Sequence, residues 1–596
     1  MNTSWNLNDL YTGFDSPEFL SDLKKCETIT SKYKELTSKL FCDHSNEIET
    51  IENYLKAYID DVILLRKLQA FGHLTFTTNS KSQTALSLKA KVQKFNSELT
   101  SPTVAFKLWL KEVSSLDQLA KQSSFIKEHF FYLDELIRST DHMLSSEEEI
   151  LVSKLVATGS SAWETLQSKA SSQLSYEVPL PEGKKNMPIM SIRNLAFSPD
   201  RKIRKIGYES ELKAYEKHAE ISAAALNGIK GEVLTLSVLR GFSSPLEETL
   251  YNARMSREIL DAMISSMESH LDEFRRYLKL KSKLLGNDGP MPFYDVFAPV
   301  SATDRNYTID EAQDFIVKYF ADFSPELSHF ADHCFNANWI DFEPKEGKVG
   351  GAFCSNIPSI KQSRVLLNFT GKLKNVLTIA HELGHAFHGD RIMSESILNT
   401  TYPMPLAETA SIFCETIVRN AVLKDADEDL KLSILENSLQ SATQVVVDIL
   451  SRYYFETSVF ETRKDHPLSV NELKDLMIDA QKKSYGDGLD ENYLHPFMWL
   501  NKTHYYYASR NFYNFPYAFG LLFATGLYAK YLEDKSGFVS KYDDMLKATG
   551  KMCIQDVCAL MDIDPSSQLF WNASLKKIKE DVDEFEKIVL KKVSTN

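Results

Sequence analysis

"TIAHELGHAFHG", residues 378–389, places two histidines four residues apart, with a glutamate next to the first, in a run that otherwise reads as an apolar helix. Val376, Ile379, Ala380, Leu383 and Phe387 recur at helical spacing and predict one buried face. His381, His385 and His388 make a second stripe. Two imidazoles one turn apart can converge on a single ion, about 2.0–2.1 Å from zinc. Glu382 lies about 100° round the helix from His381, beside such an ion rather than on it, where it is suited to take a proton from a metal-bound water. Random ordering of a chain of this composition would give about 0.02 matches to this pattern, so a metal site outweighs a polar stripe that merely shares a helix face. Gly384, in mid-helix, costs about 1 kcal/mol relative to alanine, which predicts that another backbone or helix approaches closely there.

A hydrolytic zinc site needs a third protein ligand and an open position. The extended HExxHxxGxxH pattern fails, because position 388 is histidine and position 391 is arginine. A downstream acid remains: Glu395, Glu408 or Glu415. Glu395 falls in an expected loop. "MPLAETASIFCETIV", residues 404–418, reads as a helix opened by Pro405, with Glu408 and Glu415 on one face among apolar neighbours. Glu408 as ligand, with Glu415 holding a ligand histidine, divides the work coherently.

Composition sets the outer limits. The chain has 596 residues, 43% hydrophobic and 25% charged, which is ordinary for a folded protein of more than one lobe. A net charge of −14 without a basic patch excludes nucleic acid as a partner. The seven cysteines, Cys26, Cys42, Cys334, Cys354, Cys414, Cys553 and Cys558, are scattered and form no CxxC pair, as a reducing compartment permits. "MNTSWNLNDLYTG" lacks the basic start and apolar run of a signal peptide. "YAFGLLFATGLYA", residues 517–529, is too short for a bilayer and reads as a buried helix. The expected location is the cytoplasm, with no membrane partner.

Most of the chain reads as helix, with starts at Ser16-Pro17, Ser115 and Ser145 and a capping box at Thr308 and Glu311. "VPLPEGKKNMPIMSIRNLAFSPD" (178–200) interrupts the rhythm before a helix capped near Ser198–Asp200, and it sets the expected division into an N-terminal helical lobe, 1–185, and a catalytic domain, 186–596. "GNDGPMPFYDVFAPV" (286–300) is a second interruption. "GKVGGAFCSNIPSIKQSRVLLNFTG" (347–371) is the clearest strand-like region and puts a small β-sheet just before the histidine helix.

At these residues the sequence resembles the thimet-oligopeptidase-like metallopeptidases, and among them oligoendopeptidase F. The resemblance rests on "GAFCSNI", "LLNFTGKLKNVLTIAHELGHAFHG" and "PLAETASIFCE", and more weakly on "FYDVFAPV" and "NFPYAFGLLFATGLYAKY"; it runs in order over residues 190–590. It implies a mostly α, bowl- or clam-shaped zinc peptidase, with a deep channel that admits only unfolded oligopeptide substrates. It also implies one Zn2+ ion held by His381, His385 and Glu408, with Glu382 as general base. His388 corresponds to a family histidine that is not a ligand, and either supports the site or packs. In "HYYYASRNFYNFPYAFG" (504–520), the resemblance implies that His504, Tyr513 and Tyr517 face the reacting carbonyl, with Tyr506 or Tyr507 as alternatives. Pro516 is expected in the first turn of a helix, with Tyr513 before it and Tyr517 inside it.

The expected activity is therefore metalloendopeptidase. The strand "GGAFCS" is expected to pair with an extended peptide through its main chain. Two rival readings differ in kind: a zinc exopeptidase of dipeptidyl- or carboxypeptidase type, and a non-catalytic peptide-binding protein, which would have no need of Glu382.

Overall fold

The serines and threonines that the sequence marks as helix starts act by capturing the free amides of a first turn. Ser16 accepts from Phe19 N–H and Ser115 from Gln118 N–H, while Ser145 with Glu148 and Thr308 with Glu311 form full capping boxes. The structure, a computed structural model, describes residues 3–41, 44–300 and 306–595; Cys42 lies outside them. The protein is mostly helical, with two small sheets. Among the described residues the cysteines form no disulfide with one another, and no helix is long and apolar enough to cross a membrane.

The chain divides into two compact units, each assembled from three separate stretches. The first comprises Met1–His142, Asp304–Ala421 and Lys530–Asp562; the second comprises Met143–Thr303, Val422–Ala529 and Ile563–Asn596.

In the first unit, the long helix Glu47–Thr78 is the spine of an apolar core in which Tyr11, Phe19 and Phe71 meet edge-on or tilted. That core extends to Ile357, Ile397 and Leu398, on either side of the histidine helix in sequence. The three-stranded sheet has Gln362–Leu366 in the middle, parallel to Ile340–Asp341 and antiparallel to Phe353–Ile357. Phe353–Ile357 is therefore an edge strand, and the hairpin expected within residues 347–371 is present.

In the second unit, residues 175–188 are a hairpin, Ser175–Leu180 against Gly183–Pro188, where the sequence reads only as a break in the helices. Its second strand is almost wholly exposed, so it shows none of the alternation that marks a half-buried strand. Asp200 then caps the helix Arg201–Glu216, as expected. Two buried ion pairs, Lys230–Glu456 at 2.6 Å and Lys281–Glu436 at 2.5 Å, cross-link helices of this unit. The apolar segment 517–529 lies in the helix Phe515–Glu533.

Candidate metal centre

The histidine helix spans Leu373–Ile392 and buries Val376, Ile379, Ala380, Leu383 and Phe387, the face that its apolar spacing predicts. Its glycines are positions of close approach. A Cβ at Gly384 would stand 2.6 Å from Ser411 Cα and closer still to the Ala410 carbonyl, so the helix Thr409–Asp425 can lie against this turn only because no side chain intervenes. A Cβ at Gly389 would lie 2.6 Å from Asn356 Nδ2, and the Asn356 amide donates to His385 O at 3.3 Å. The edge strand is thus fastened to the back of the histidine turn.

Residues 404–418 are two helices rather than the single one expected: Met404–Ala407 and Thr409–Asp425, with Glu408 at the break. The break has a local cause. Ser411 Oγ donates to both Glu408 O, at 3.0 Å, and Glu408 Oε2, at 2.9 Å, and Ile412 N–H donates to Glu408 O. Glu408 so occupies the capping position of the second helix, and its carboxylate is drawn towards His381 and His385.

Glu408 Oε2 lies 3.2 Å from His381 Nε2 and 3.4 Å from His385 Nε2. The two imidazole rings are nearly perpendicular, at 82°. One donor atom from each of His381, His385 and Glu408 lies within 4.8 Å of the others. Tetrahedral ligands about 2.0–2.1 Å from zinc stand about 3.3 Å apart, so the residues fit such an ion. Glu415 Oε2 meets the other ring nitrogen of His381, Nδ1, at 3.2 Å, which leaves Nε2 to face Glu408. Glu395 is engaged elsewhere, in an ion pair with Lys551 at 2.8 Å.

Electrostatics follow from this crowding. Burial pulls His381 down, but the hydrogen bonds and charges of Glu408 and Glu415 outweigh it and raise its pKa from 6.5 to about 10. Burial pushes Glu408 up, and the two imidazoles overcome it and hold the carboxyl well below its usual range. Without an ion, a proton on His381 supplies the positive charge that two neighbouring carboxylates require. Glu382 is buried, Oε2 has no hydrogen-bond partner among the described residues, and burial raises its pKa. The Cys354 backbone, on the edge strand, opposes that rise.

His388 is fully buried, stacked on Tyr402 with ring centroids 4.2 Å apart, and its Nε2 is 2.8 Å from Thr549 Oγ1. It lies outside the ligand group.

A family model for peptidase family M3 matches residues 194–577. The chain belongs to peptidase family M3. A second model, for oligopeptidase F, matches residues 113–176 of this M3 peptidase. Oligopeptidase PepF of Bacillus subtilis is 24% identical over 99% of this chain and 87% of its own length. Group B oligopeptidase PepB of Streptococcus agalactiae is 26% identical over 85% of each. A solved structure from Chlamydophila abortus shares the fold with a TM-score of 0.84 and 22% identity over 98% of both chains. Oligoendopeptidase-F from Enterococcus faecium shares it at 0.70 and 18%, over 96% of this chain and 99% of that one. The resemblance seen in the motifs is borne out: this is a mostly α metallo-oligopeptidase of the oligoendopeptidase F family.

The remaining expected site residues of the M3 chain belong to the second unit, where they gather. His504 lies 5.1 Å from Tyr513 and 6.4 Å from Tyr517, ring to ring, and the two tyrosines are 5.8 Å apart. Pro516 is in the first turn of Phe515–Glu533, with Tyr513 before the helix and Tyr517 within it. His504 Nδ1 is 3.4 Å from Asn514 Oδ1, which also accepts from Arg452 at 3.2 Å. Of the alternatives, Tyr506 is buried, while Tyr507 is partly exposed with its ring 6.5 Å from that of His504. Sequence reasoning missed Asn356 and Ser411. The glycine at 389 and the serine three residues after Glu408 are the signals that point to them.

Proposed function

We propose that this M3 peptidase is a zinc-dependent endopeptidase that hydrolyses internal bonds of short, unfolded oligopeptides. The observation that carries the reading is the Glu382 carboxylate: buried, unpartnered at Oε2, and adjacent in sequence to a ligand group of two imidazoles and one carboxylate. His381, His385 and Glu408 would hold the ion, and a bound zinc would supply Lewis-acid polarisation of the scissile carbonyl and a more acidic water.

This chain's residues do the rest. Glu415 fixes the tautomer and orientation of His381. Glu382, made more basic by burial, accepts a proton from the attacking water and delivers it to the leaving amine. His504, Tyr513 and Tyr517 are assigned as donors to the developing oxyanion; their gathering around one imidazole supports this. The edge strand Phe353–Ile357 would take the substrate backbone by strand pairing, with Cys354 linking that strand to Glu382. The division at 185/186 into an N-terminal lobe and a catalytic domain belongs to the same reading, supported by an M3 match that begins at 194. Cysteines that form no disulfide with one another among the described residues support work in a reducing compartment, the cytoplasm.

The test is mass spectrometry of products from peptides of rising length, each blocked at both ends and also supplied with free termini, incubated with wild type and with Glu382→Gln matched for metal content. Internal cuts by wild type alone, fading with length, are expected. Cuts only in peptides with a free terminus would instead show an exopeptidase, and no cuts by metal-loaded protein would show a binder.

A further inference from the structure

The second unit contains a cavity of about 180 Å³ that none of the chemistry above uses. Its lining is divided in character. Phe293, Val296 and Ile192 are apolar, as are Met190 and Phe197, large side chains left 60% and 58% exposed at its margin. Charged groups lie among them, and some of their buried polar atoms make no hydrogen bond. Glu211 Oε1 is 3.3 Å from Arg193 Nε and 3.6 Å from His495 Nε2, close enough for charge to act but without a well-formed hydrogen bond, and neither nitrogen of the fully buried His495 ring makes a hydrogen bond among the described residues. Lys502 also lines the cavity; burial draws its pKa down to about 8, with only the fields of Asp448 and Glu211 opposing.

A second feature points to the same place. The long helical run from Glu428 to Arg463 contains one π-helical turn, Gln444–Asp448, and the residues at its two ends both line this cavity. Such turns cost regular hydrogen bonding and cluster at functional sites. Buried polar atoms without partners are a cost as well, one that a bound group of complementary charge removes.

The groups available define a ligand. Lys502 and Arg193 offer cationic donors for a carboxylate, Glu211 Oε1 offers an acceptor for an ammonium, and the phenylalanines offer a surface for an apolar side chain. A dry cavity of about 150 Å³ holds benzene, so this one suits a compact molecule with a small polar head. We propose that the cavity binds a free apolar α-amino acid of the size of leucine or phenylalanine, as its zwitterion.

The test is calorimetric titration of the full-length protein with L-phenylalanine, N-acetyl-L-phenylalanine and L-phenylalaninamide. Because amino acids chelate metals, His385→Ala is titrated beside wild type; binding at the cavity persists in that variant whether or not the metal reading holds. Expected is one-to-one saturable binding of L-phenylalanine to both proteins, at least tenfold weaker for each blocked analogue. In Lys502→Met, binding falls at least tenfold in protein whose melting transition shows that it is folded. Glu211→Gln provides the matching loss for the ammonium end. No saturable binding to His385→Ala, equal binding of the N-acetyl analogue (which would mark a peptide C-terminus), or binding indifferent to both substitutions in folded protein would each overturn the proposal, leaving the cavity to water.

Discussion

Gly384 and Ser411 mark the point where the histidine helix and the helix that follows Glu408 touch: a Cβ on Gly384 would stand 2.6 Å from Ser411 Cα. In an open helix, Gly384→Ala would add about 1 kcal/mol of stability. Here it drives backbone against backbone, and overpacking of that kind costs about 1–3 kcal/mol. The variant is expected to melt several degrees lower and to bind zinc at least tenfold more weakly, because the displaced turn carries Ser411, which fixes Glu408. An unchanged melting temperature would remove the close approach as the reason for the glycine.

Glu415 meets His381 at 3.2 Å from Nδ1. Glu415→Gln keeps the shape and loses the charge, and partners of metal-bound histidines are typically worth about 10–100-fold in affinity. Zinc affinity measured by chelator competition should fall in that range. Glu395→Gln is the control: it faces Lys551 and should leave affinity unaltered. Equal losses in both variants would mean that charge, not position, controls the site.

The metal-free protein should release a proton when it takes up zinc. His381 has a raised pKa of about 10, so its ring is protonated at pH 7 and must become neutral to bind. Titration calorimetry in buffers of different ionisation heat should show about one proton released at pH 7. The same shifts set the stability of the metal-free form. The raised His381 stabilises fully below its unfolded value of 6.5 and loses that contribution as pH climbs towards 10. The depressed Glu408 stabilises above its unfolded value of 4.5 and loses it as pH falls. Together they predict the greatest contribution between these values, and addition of zinc should abolish the alkaline decline. Zinc uptake without proton release would contradict the charge assignment.

What the sequence discloses about this site follows from distance along the chain. His381, Glu382 and His385 occupy one helix, so their relative placement is fixed by 3.6 residues per turn, and the helix starts at Ser16, Ser115, Ser145 and Thr308 are equally local. Glu408 was legible as a candidate, but the helix break that aims it was not, because that depends on which hydrogen bond Ser411 makes. The hairpin at 175–188 is hidden by its exposure. The interleaving of two units from six stretches leaves no mark in composition, since it is written in contacts between segments hundreds of residues apart.

His388 distinguishes packing from support of the site. Burial holds its pKa down to about 3, so the ring stays neutral across the working range, stacked on Tyr402 and bonded to Thr549. His388→Ala should cost about 2–4 kcal/mol in denaturant unfolding, from the cavity and the orphaned Thr549 hydroxyl. The pH profile of kcat/KM should keep its shape. A displaced limb in that profile would show that His388 tunes the catalytic groups.

His504 is the most informative residue of the second unit. Burial lowers its pKa, with Asn514 opposing, so it is neutral at pH 7 and carries one N–H to donate. If that N–H meets charge which develops only in the transition state, His504→Ala lowers kcat by about 100-fold and leaves KM nearly unchanged, as removal of an oxyanion donor does. Tyr513→Phe and Tyr517→Phe separate the two hydroxyls by the same measurement. Tyr506→Phe, in a buried position, should leave both constants alone. A rise in KM with kcat preserved would show instead that this cluster binds substrate in its ground state, and the oxyanion would need its donors from elsewhere.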